Sequence, residues 1–555
     1  MIKQDLIVAI QETLTELSSR GDLPADCFPP LQLDVPKREG QGDYASAAAL
    51  TLAQGTARRP RDVAEVIVQG LRPRIPFVDK IDIAGPGFIN FTIKPSRWLE
   101  VLNEIVVQGE VFGRSDPGAG RRVQIEFVSA NPTGPLHVGH GRWAAVGNAM
   151  ANLLVATGYQ VEREYYNNDA GRQVKLLGRS IYARYQRLAG VETPDPEGGY
   201  RGEYVTELAQ HILEQEGRRF VGVPVERCLD ELTQLGVSAM LREIRSDLEA
   251  FRIRFDRWFS EASLFSGGEV KAALERLRQG GFLFEADGAT WFRSTAFGDD
   301  KDRVVIKEDG EHTYLASDIA YHWDKLRRGY DLVIDIWGAD HHGYVARMEA
   351  VVQALGYPLD RIKIKIGQLV TLMRAGQPVA MSKRAGNFVT LREVVVEVGA
   401  DAALFFFLTR RLDSPLEFDL ELAKQQSNDN PVYYVQYAHA RIASLFRQVV
   451  ERGVATDPVG ASELARLALP EELVLIKKLA QFPDLVEASA SALEPHRISF
   501  YLLELAALLH NYYFQHRFIS DDLELTRARL RLARAVQIVV ANGLGLMGVT
   551  APERM

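Results

Sequence analysis

Two short segments, far apart in the chain, carry residue types suited to phosphate chemistry. The first is His137-Val138-Gly139-His140, which follows a turn-rich run and opens a long apolar helical pattern. A helix N-terminus offers N–H groups with no intrahelical partner and the positive end of a dipole, both matched to phosphate. Gly139 leaves room for a nucleotide ring against the backbone, and the imidazoles of His137 and His140 have N–H groups to donate to phosphate oxygens. The second segment is Ala380-Met381-Ser382-Lys383-Arg384-Ala385-Gly386-Asn387, a polar loop after a strand-like run. Its adjacent cations suit a pyrophosphate leaving group, because they put positive charge where negative charge develops. Read singly, the first is a pair of capping histidines and the second a solvated loop. Their order and their setting make the chemical case.

That setting is a strand, a loop, a helix and a second strand. Val123, Ile125 and Phe127 alternate, Ala130-Asn131-Pro132-Thr133-Gly134-Pro135 is turn-rich, and a helical pattern runs from about His137 to Ala156 before Gly158. A second strand near Val161 to Tyr165 completes a βαβ opening, which predicts an α/β, doubly wound, parallel Rossmann-like sheet. Further strand-like runs lie at Leu332 to Trp337 and Ile362 to Ile366, and residues 200–280 read as mostly helical. Before this sheet, helical stretches around 2–17 and 43–71 precede a hairpin pattern, Ile81-Asp82-Ile83 and Phe88 to Ile93 split by Gly85-Pro86-Gly87. Pro60 is placed to open a helix, and Arg58, Arg59 and Arg61 around it read either as a solvated helix start or as an RNA contact. From about residue 430 the pattern is helical almost to the end. The expected organisation is a small N-terminal α+β domain (1–114), a catalytic sheet domain (115–428) with a helical insertion around 185–280, and an all-α bundle (429–555).

Bulk properties bound the rest. With 555 residues, 46% hydrophobic and 25% charged, the chain is expected to fold as several globular domains. A formal charge of −8 announces no nucleic-acid partner and excludes none, since phosphate binding needs local positive patches. Cys27 and Cys228 have neither metal-like nor redox-like spacing, which fits a reducing, cytoplasmic compartment. The N-terminus reads as an amphipathic helix, no window is apolar enough to span a membrane, and Asn90-Phe91-Thr92 is a chance glycosylation match without an export signal. Gly543-Leu544-Gly545-Leu546-Met547-Gly548 spells a dinucleotide fingerprint, but it follows a helical run and leaves no room for the required second strand.

As a pair, the two phosphate segments resemble the HIGH and KMSKS signatures of class I aminoacyl-tRNA synthetases. The run from Glu126 to Arg142 resembles the form these signatures take in bacterial-type arginyl-tRNA synthetases. So do Tyr314-Leu315-Ala316-Ser317-Asp318, Trp337 to Tyr344, Tyr434 to Arg441 and the closing Ala551-Pro552-Glu553-Arg554-Met555. The resemblance implies ATP-dependent ligation of L-arginine to tRNA(Arg) through an arginyl-adenylate. ATP with Mg2+ would be co-substrate, no metal would be held by the protein, and the enzyme would be a monomer. It implies catalytic roles for His137, His140 and Lys383, and ATP contacts from Gly139, Asp340, His341, Met381 and Ser382 as well. It places the substrate arginine on Glu126, Asn131, Tyr314 and Asp318. A guanidinium with five fixed donors wants carboxylates, so Glu126 and Asp318 are expected to supply the negative field. It also implies tRNA contacts from the last domain through Tyr437, Met555 and Arg531. Tyr433 and Tyr437 lie one turn apart, suited to stacking on anticodon bases, with at least one expected in the core. Arg527, Arg531 and Arg534 share a helix face that is either a phosphate track or simply solvated.

One residue departs from the pattern: Ala380 stands where the second signature usually begins with lysine, leaving Lys383 as its only lysine. Other readings are weaker. Among other class I synthetases, for glutamate, glutamine or cysteine, Glu126 and Asp318 would repel an acidic substrate, and a cysteine enzyme calls for Cys/His clustering. A small adenylyltransferase with the same H-x-G-H helix needs neither terminal domain. A catalytically dead tRNA-binding relative is opposed by the presence of His137, His140 and Lys383.

Overall fold

The computed structural model describes residues 2–23, 31–36, 40–54, 58–379, 389–456 and 458–555. The alternation at Val123 and Ile125 forms β1 (Arg122–Glu126), and the second expected strand is β2 (Gln160–Asn167). With β3 (Arg257–Ser260), β4 (Leu332–Gly338) and β5 (Ile362–Gly367) they build a five-stranded sheet in the order β5-β4-β1-β2-β3. Every neighbouring pair is parallel. That is the doubly wound order, with the direction of winding reversing between β1 and β4, where such sheets hold ligands.

Between β1 and β2 runs α1 (Val138–Ala156), stopped at Gly158. Its close approach to β1 depends on Gly147, where a Cβ would sit 2.3 Å from the Phe127 ring. Before β4 comes α2 (Tyr314–Arg327), which buries Ala316, Ile319, Ala320 and Tyr321 in the core.

The reading of residues 200–280 as mostly helical needs one correction. Helices Glu203–Glu216, Val225–Ala250, Glu261–Ser266 and Glu269–Gln279 are present, but β3 lies among them and pairs with β2 from Glu164↔Arg257 to Asn167↔Ser260. Four residues on a sheet edge, with Trp258 and Phe259 adjacent, give no alternating signal to read. The stretch 43–71 is also not a continuous helical region. Tyr44–Ser46 is a strand, followed by helices Ala48–Ala53 and Pro60–Leu71, with Pro60 in the first turn as expected. Gly42, at φ +80°, enters that strand where a Cβ would meet the Phe91 carbonyl at 2.6 Å. The expected hairpin forms, pairing Ala84 with Phe88.

The C-terminal region holds long helices at Pro431–Glu451, His496–Gln515 and Leu523–Leu546, the last running through Gly543 and Gly545 of the apparent fingerprint. By contacts the chain divides into two compact units: residues 1–112, 441–482 and 507–539, and residues 113–440, 483–506 and 540–555. None of the described helices is long and apolar enough to cross a membrane.

Candidate active site

The start of α1 is built by its own histidines. His137 is the N-cap, and its Nδ1 accepts from the Gly139 N–H at 3.1 Å, while His140 Nδ1 accepts from the His137 N–H at 3.2 Å. This is a capping box made of imidazoles, with the rings stacked at 3.7 Å between centroids. Because both Nδ1 atoms accept, a neutral ring carries its hydrogen on Nε2, so capping through Nδ1 leaves the donor of each ring outside the cap. At Gly139 a Cβ would press on the His137 ring at 3.0 Å.

The second segment is met only at its flanks. Met381, Ser382, Lys383 and the departure at Ala380 lie outside the described residues. On one side Val379 N–H donates to the Leu372 carbonyl at 2.8 Å; on the other Leu391 N–H donates to the Leu136 carbonyl at 2.7 Å, and Thr390 bridges to His137. The chain returning from the second signature thus pairs directly with the first. Arg142, fully buried on α1, donates to the carbonyls of Gln368 at 3.1 Å and Arg411 at 2.7 Å. Asp340 and His341 follow β4, exposed, 3.5 Å apart. Among the described residues no group of His, Cys, Asp and Glu has the arrangement of a metal site.

The four residues expected around arginine fall into unlike environments. Asp318, in the second turn of α2, accepts a hydrogen bond from the Tyr344 hydroxyl, and burial holds its carboxyl above the usual range despite that bond. Tyr314, the first residue of α2, is 62% exposed and presents an open aromatic wall. Asn131 donates to Gln173 at 2.7 Å. Glu126 is buried, and its charge is already met: one oxygen pairs with the Lys325 ammonium, the other accepts from Ser129 Oγ at 2.7 Å. Glu126 and Asp318 therefore differ: Glu126 shares the Lys325 ammonium with Asp335, whereas Asp318 has no ion pair among the described residues.

A different carboxylate does stand beside Asp318. Glu261, directly after β3, is 5% exposed. Burial, opposed by the Ser317 hydroxyl and reinforced by the charge of Asp318, pushes its carboxyl up to about 7. The next residue's N–H is anchored on Asp169 at 2.9 Å. Nearby, the buried Tyr166 hydroxyl feels the charges of Glu261, Asp318 and Glu126; it lies beside the Glu261 carboxyl without a well-formed hydrogen bond among the described residues. Neither Glu261 nor Tyr166 was singled out from sequence. Glu261 was hidden by the unrecognised strand that delivers it, and Tyr166 reads as an ordinary aromatic in a buried strand.

Farther along, Tyr433 and Tyr437 stack at 5.9 Å with planes 8° apart; Tyr433 is half-buried and Tyr437 exposed, so neither is core, contrary to expectation. The terminal segment is tied to the same helix by Gln436 to the Thr550 carbonyl (2.9 Å) and His439 to the Pro552 carbonyl (2.9 Å), and Met555 is exposed. Arg527 is ion-paired with Glu463 at 2.5 Å, Arg534 lies over Phe446, and Arg531 is half-buried.

Three family models match: arginyl tRNA synthetase N terminal domain over residues 4–93, tRNA synthetases class I (R), catalytic domain over 101–406, and DALR anticodon binding domain over 435–555. Curated arginine–tRNA ligases of Syntrophotalea carbinolica and Citrifermentans bemidjiense are 49% and 50% identical, each pair covered over its full length. The Thermus thermophilus arginyl-tRNA synthetase structure shares the fold, with a TM-score of 0.76 and 23% identity over the whole of both chains. The doubly wound sheet, the two signature segments and full-length identity near one half agree: the chain belongs to the arginyl-tRNA synthetases of class I.

Proposed function

We propose that this enzyme, which ligates L-arginine to tRNA(Arg) using ATP, holds the arginine guanidinium between Asp318 and Glu261, with Tyr314 and Tyr166 as further walls. The observation that carries this reading is the pair of neighbouring carboxylates, Glu261 buried and Asp318 half-buried, neither of them ion-paired among the described residues. Two like charges in a low-dielectric site are costly unless a cation joins them, and a guanidinium forms bidentate, charge-assisted bonds with carboxylates. Glu126 then acts from behind, through Ser129, and Asn131 is left for the amino-acid backbone end of the substrate.

Chemistry proceeds in two steps. The arginine carboxylate attacks the α-phosphorus of ATP, carried as its Mg2+ complex, and pyrophosphate leaves. The terminal ribose hydroxyl of tRNA then attacks the activated carbonyl, releasing AMP. No covalent enzyme intermediate is needed; positioning and charge stabilisation do the work. His137 and His140 donate to the phosphates through Nε2, and Gly139, Asp340 and His341 border the nucleotide. Lys383, helped by Met381 and Ser382, receives the pyrophosphate, with Ala380 contributing no charge.

Residues 1–114, 115–428 and 429–555 are proposed as the N-terminal, catalytic and anticodon-binding domains, a division supported by the family-model spans. Tyr437, Met555 and Arg531 are the proposed tRNA contacts, and the enzyme is proposed to act as a cytoplasmic monomer. The test is aminoacylation of total bacterial tRNA by the purified protein with Mg·ATP and each standard amino acid in turn. Charging with arginine alone is expected; charging with another amino acid would overturn the pocket.

A further inference from the structure

Lys325 lies in the last turn of α2 with its side chain wholly inaccessible to solvent. Its ammonium donates to Glu126 at the end of β1 and to Asp335 Oδ1 in β4 at 2.7 Å. Burial opposes its charge, but Asp335 and Glu126 outweigh that and hold it protonated; Asp335 in turn is held down to about 2 against its own burial by Lys325 and His322.

Two arms leave this ammonium. Along the first, Glu126 accepts from Ser129 Oγ, and the same oxygen accepts from the Tyr166 N–H at 3.1 Å. This arm ends in a turn where Val128 (φ 70°) and Ser129 (φ 40°) both sit in the left-handed region. For a β-branched residue such as Val128 that is a strained conformation, and it persists only where surrounding bonds over-determine it. Asn131 follows two residues later. Along the second arm, Asp335 Oδ2 meets His322 Nε2 at 3.0 Å, and His322 Nδ1 meets the main-chain carbonyl of Asp318 at 2.8 Å. One buried cation therefore reaches both the loop bearing Asn131 and the backbone bearing Asp318.

We propose that Lys325 is a positioning residue for amino-acid activation: through Glu126 and Ser129 on one side, and Asp335 and His322 on the other, it sets the distance between the Asn131 loop and Asp318. This rests on the assignment of Asp318 to the guanidinium. A purely structural ion network would hold α2 on the sheet but would not distinguish one substrate from the other, and that difference is measurable.

The experiment compares Lys325→Met, Asp335→Asn and Asp318→Ala with the unmodified enzyme, in aminoacylation at saturating tRNA. Active-site titration corrects for inactive protein, and thermal unfolding reports the fold. Sub-ångström to ångström displacement of a binding group costs up to about 100-fold, so Lys325→Met is expected to raise the arginine KM at least ~10-fold with the ATP KM within about twofold. Asp335→Asn, which keeps the Lys325–Glu126 contact, should raise the arginine KM by a smaller factor. If Lys325→Met does not fold, Asp335→Asn decides. Folded variants with unchanged arginine KM, or with arginine and ATP KM rising together, would overturn the positioning role. Asp318→Ala separates the two claims: an unaffected arginine KM there would instead remove Asp318 from the pocket.

Discussion

Two buried acidic clusters share helix α2, and they differ in charge balance. In the first, Glu126 and Asp335 flank Lys325, while Glu164 accepts from the Tyr321 hydroxyl at 2.6 Å and pairs with Arg328; Glu164, Asp335 and Lys325 are closed to solvent. In the second, burial holds both Glu261 and Asp318 above the usual carboxyl range, the charge of Asp318 adding to the effect on Glu261, and neither forms an ion pair among the described residues. The first cluster is complete without substrate. The second is complete only with a cation from outside. The pocket proposed for arginine is thus distinguished not by buried charge as such but by buried charge without an ion pair among the described residues, the condition under which a perturbed carboxyl signals function.

The sharpest way to break this comparison is to unbalance the complete cluster. Arg328→Met leaves Glu164 with only the more distant Arg257 at 3.5 Å. Removing one partner of a buried pair typically costs about 3–5 kcal/mol of stability, so urea midpoint and Tm should fall clearly. Both KM values should stay near their unmodified values in the folded fraction. The incomplete cluster should behave in the opposite sense. Asp318→Ala removes a desolvated carboxylate that has no ion pair among the described residues but accepts from the Tyr344 hydroxyl, so the stability of the substrate-free protein should change little, while kcat/KM for arginine drops by about 2–5 kcal/mol in transition-state terms. A mutant that loses stability without losing arginine affinity would place Asp318 with the structural cluster.

That division of labour was only half legible from sequence. Local signals carried the scaffold: alternation gave β1, the two histidines marked the α1 cap, and Pro60 marked a helix start. Asp318 was reached through its motif. Glu126 was reached too, but its pairing with Lys325 was not, because Lys325 comes from a helix 199 residues away and no pattern announces a tertiary ion pair. Glu261 was missed for a related reason. Its position is fixed by β3, a four-residue edge strand whose pairing with β2 is decided by the sheet rather than by its own residues.

Glu261 offers a test of intermediate size with a pH signature. Its carboxyl titrates at about 7, above the ordinary 4.5, chiefly because of burial. An acid with a raised folded pKa favours the fold while protonated, and that contribution is lost as pH rises from the ordinary value through 7. Substrate-free stability should therefore decline between about pH 5 and 8, by on the order of 1–3 kcal/mol, and added arginine should restore more of it at pH 8 than at pH 6. The arginine KM should rise as pH falls below 7. Glu261→Gln should flatten both profiles and raise the arginine KM about 10- to 100-fold, the value of a hydrogen bond to a charged group. Profiles that keep their slope in this variant would assign the titration elsewhere.

The smallest expected effect isolates the hydroxyl of Tyr166. Its ring stays packed on Tyr321 at 4.2 Å and on Phe259 at 6.1 Å whether or not the hydroxyl is present, so Tyr166→Phe leaves the core intact. In the substrate-free protein the hydroxyl is buried beside the Glu261 carboxyl without a well-formed hydrogen bond, and removing such a group is close to neutral for stability. If the hydroxyl finds its partner in bound arginine, the same change should cost about 0.5–1.5 kcal/mol of affinity, a few-fold in KM, with the ATP KM unmoved. A loss of stability on Tyr166→Phe would mean that the hydroxyl already has a partner within the folded chain, and would move Tyr166 from the incomplete cluster to the complete one.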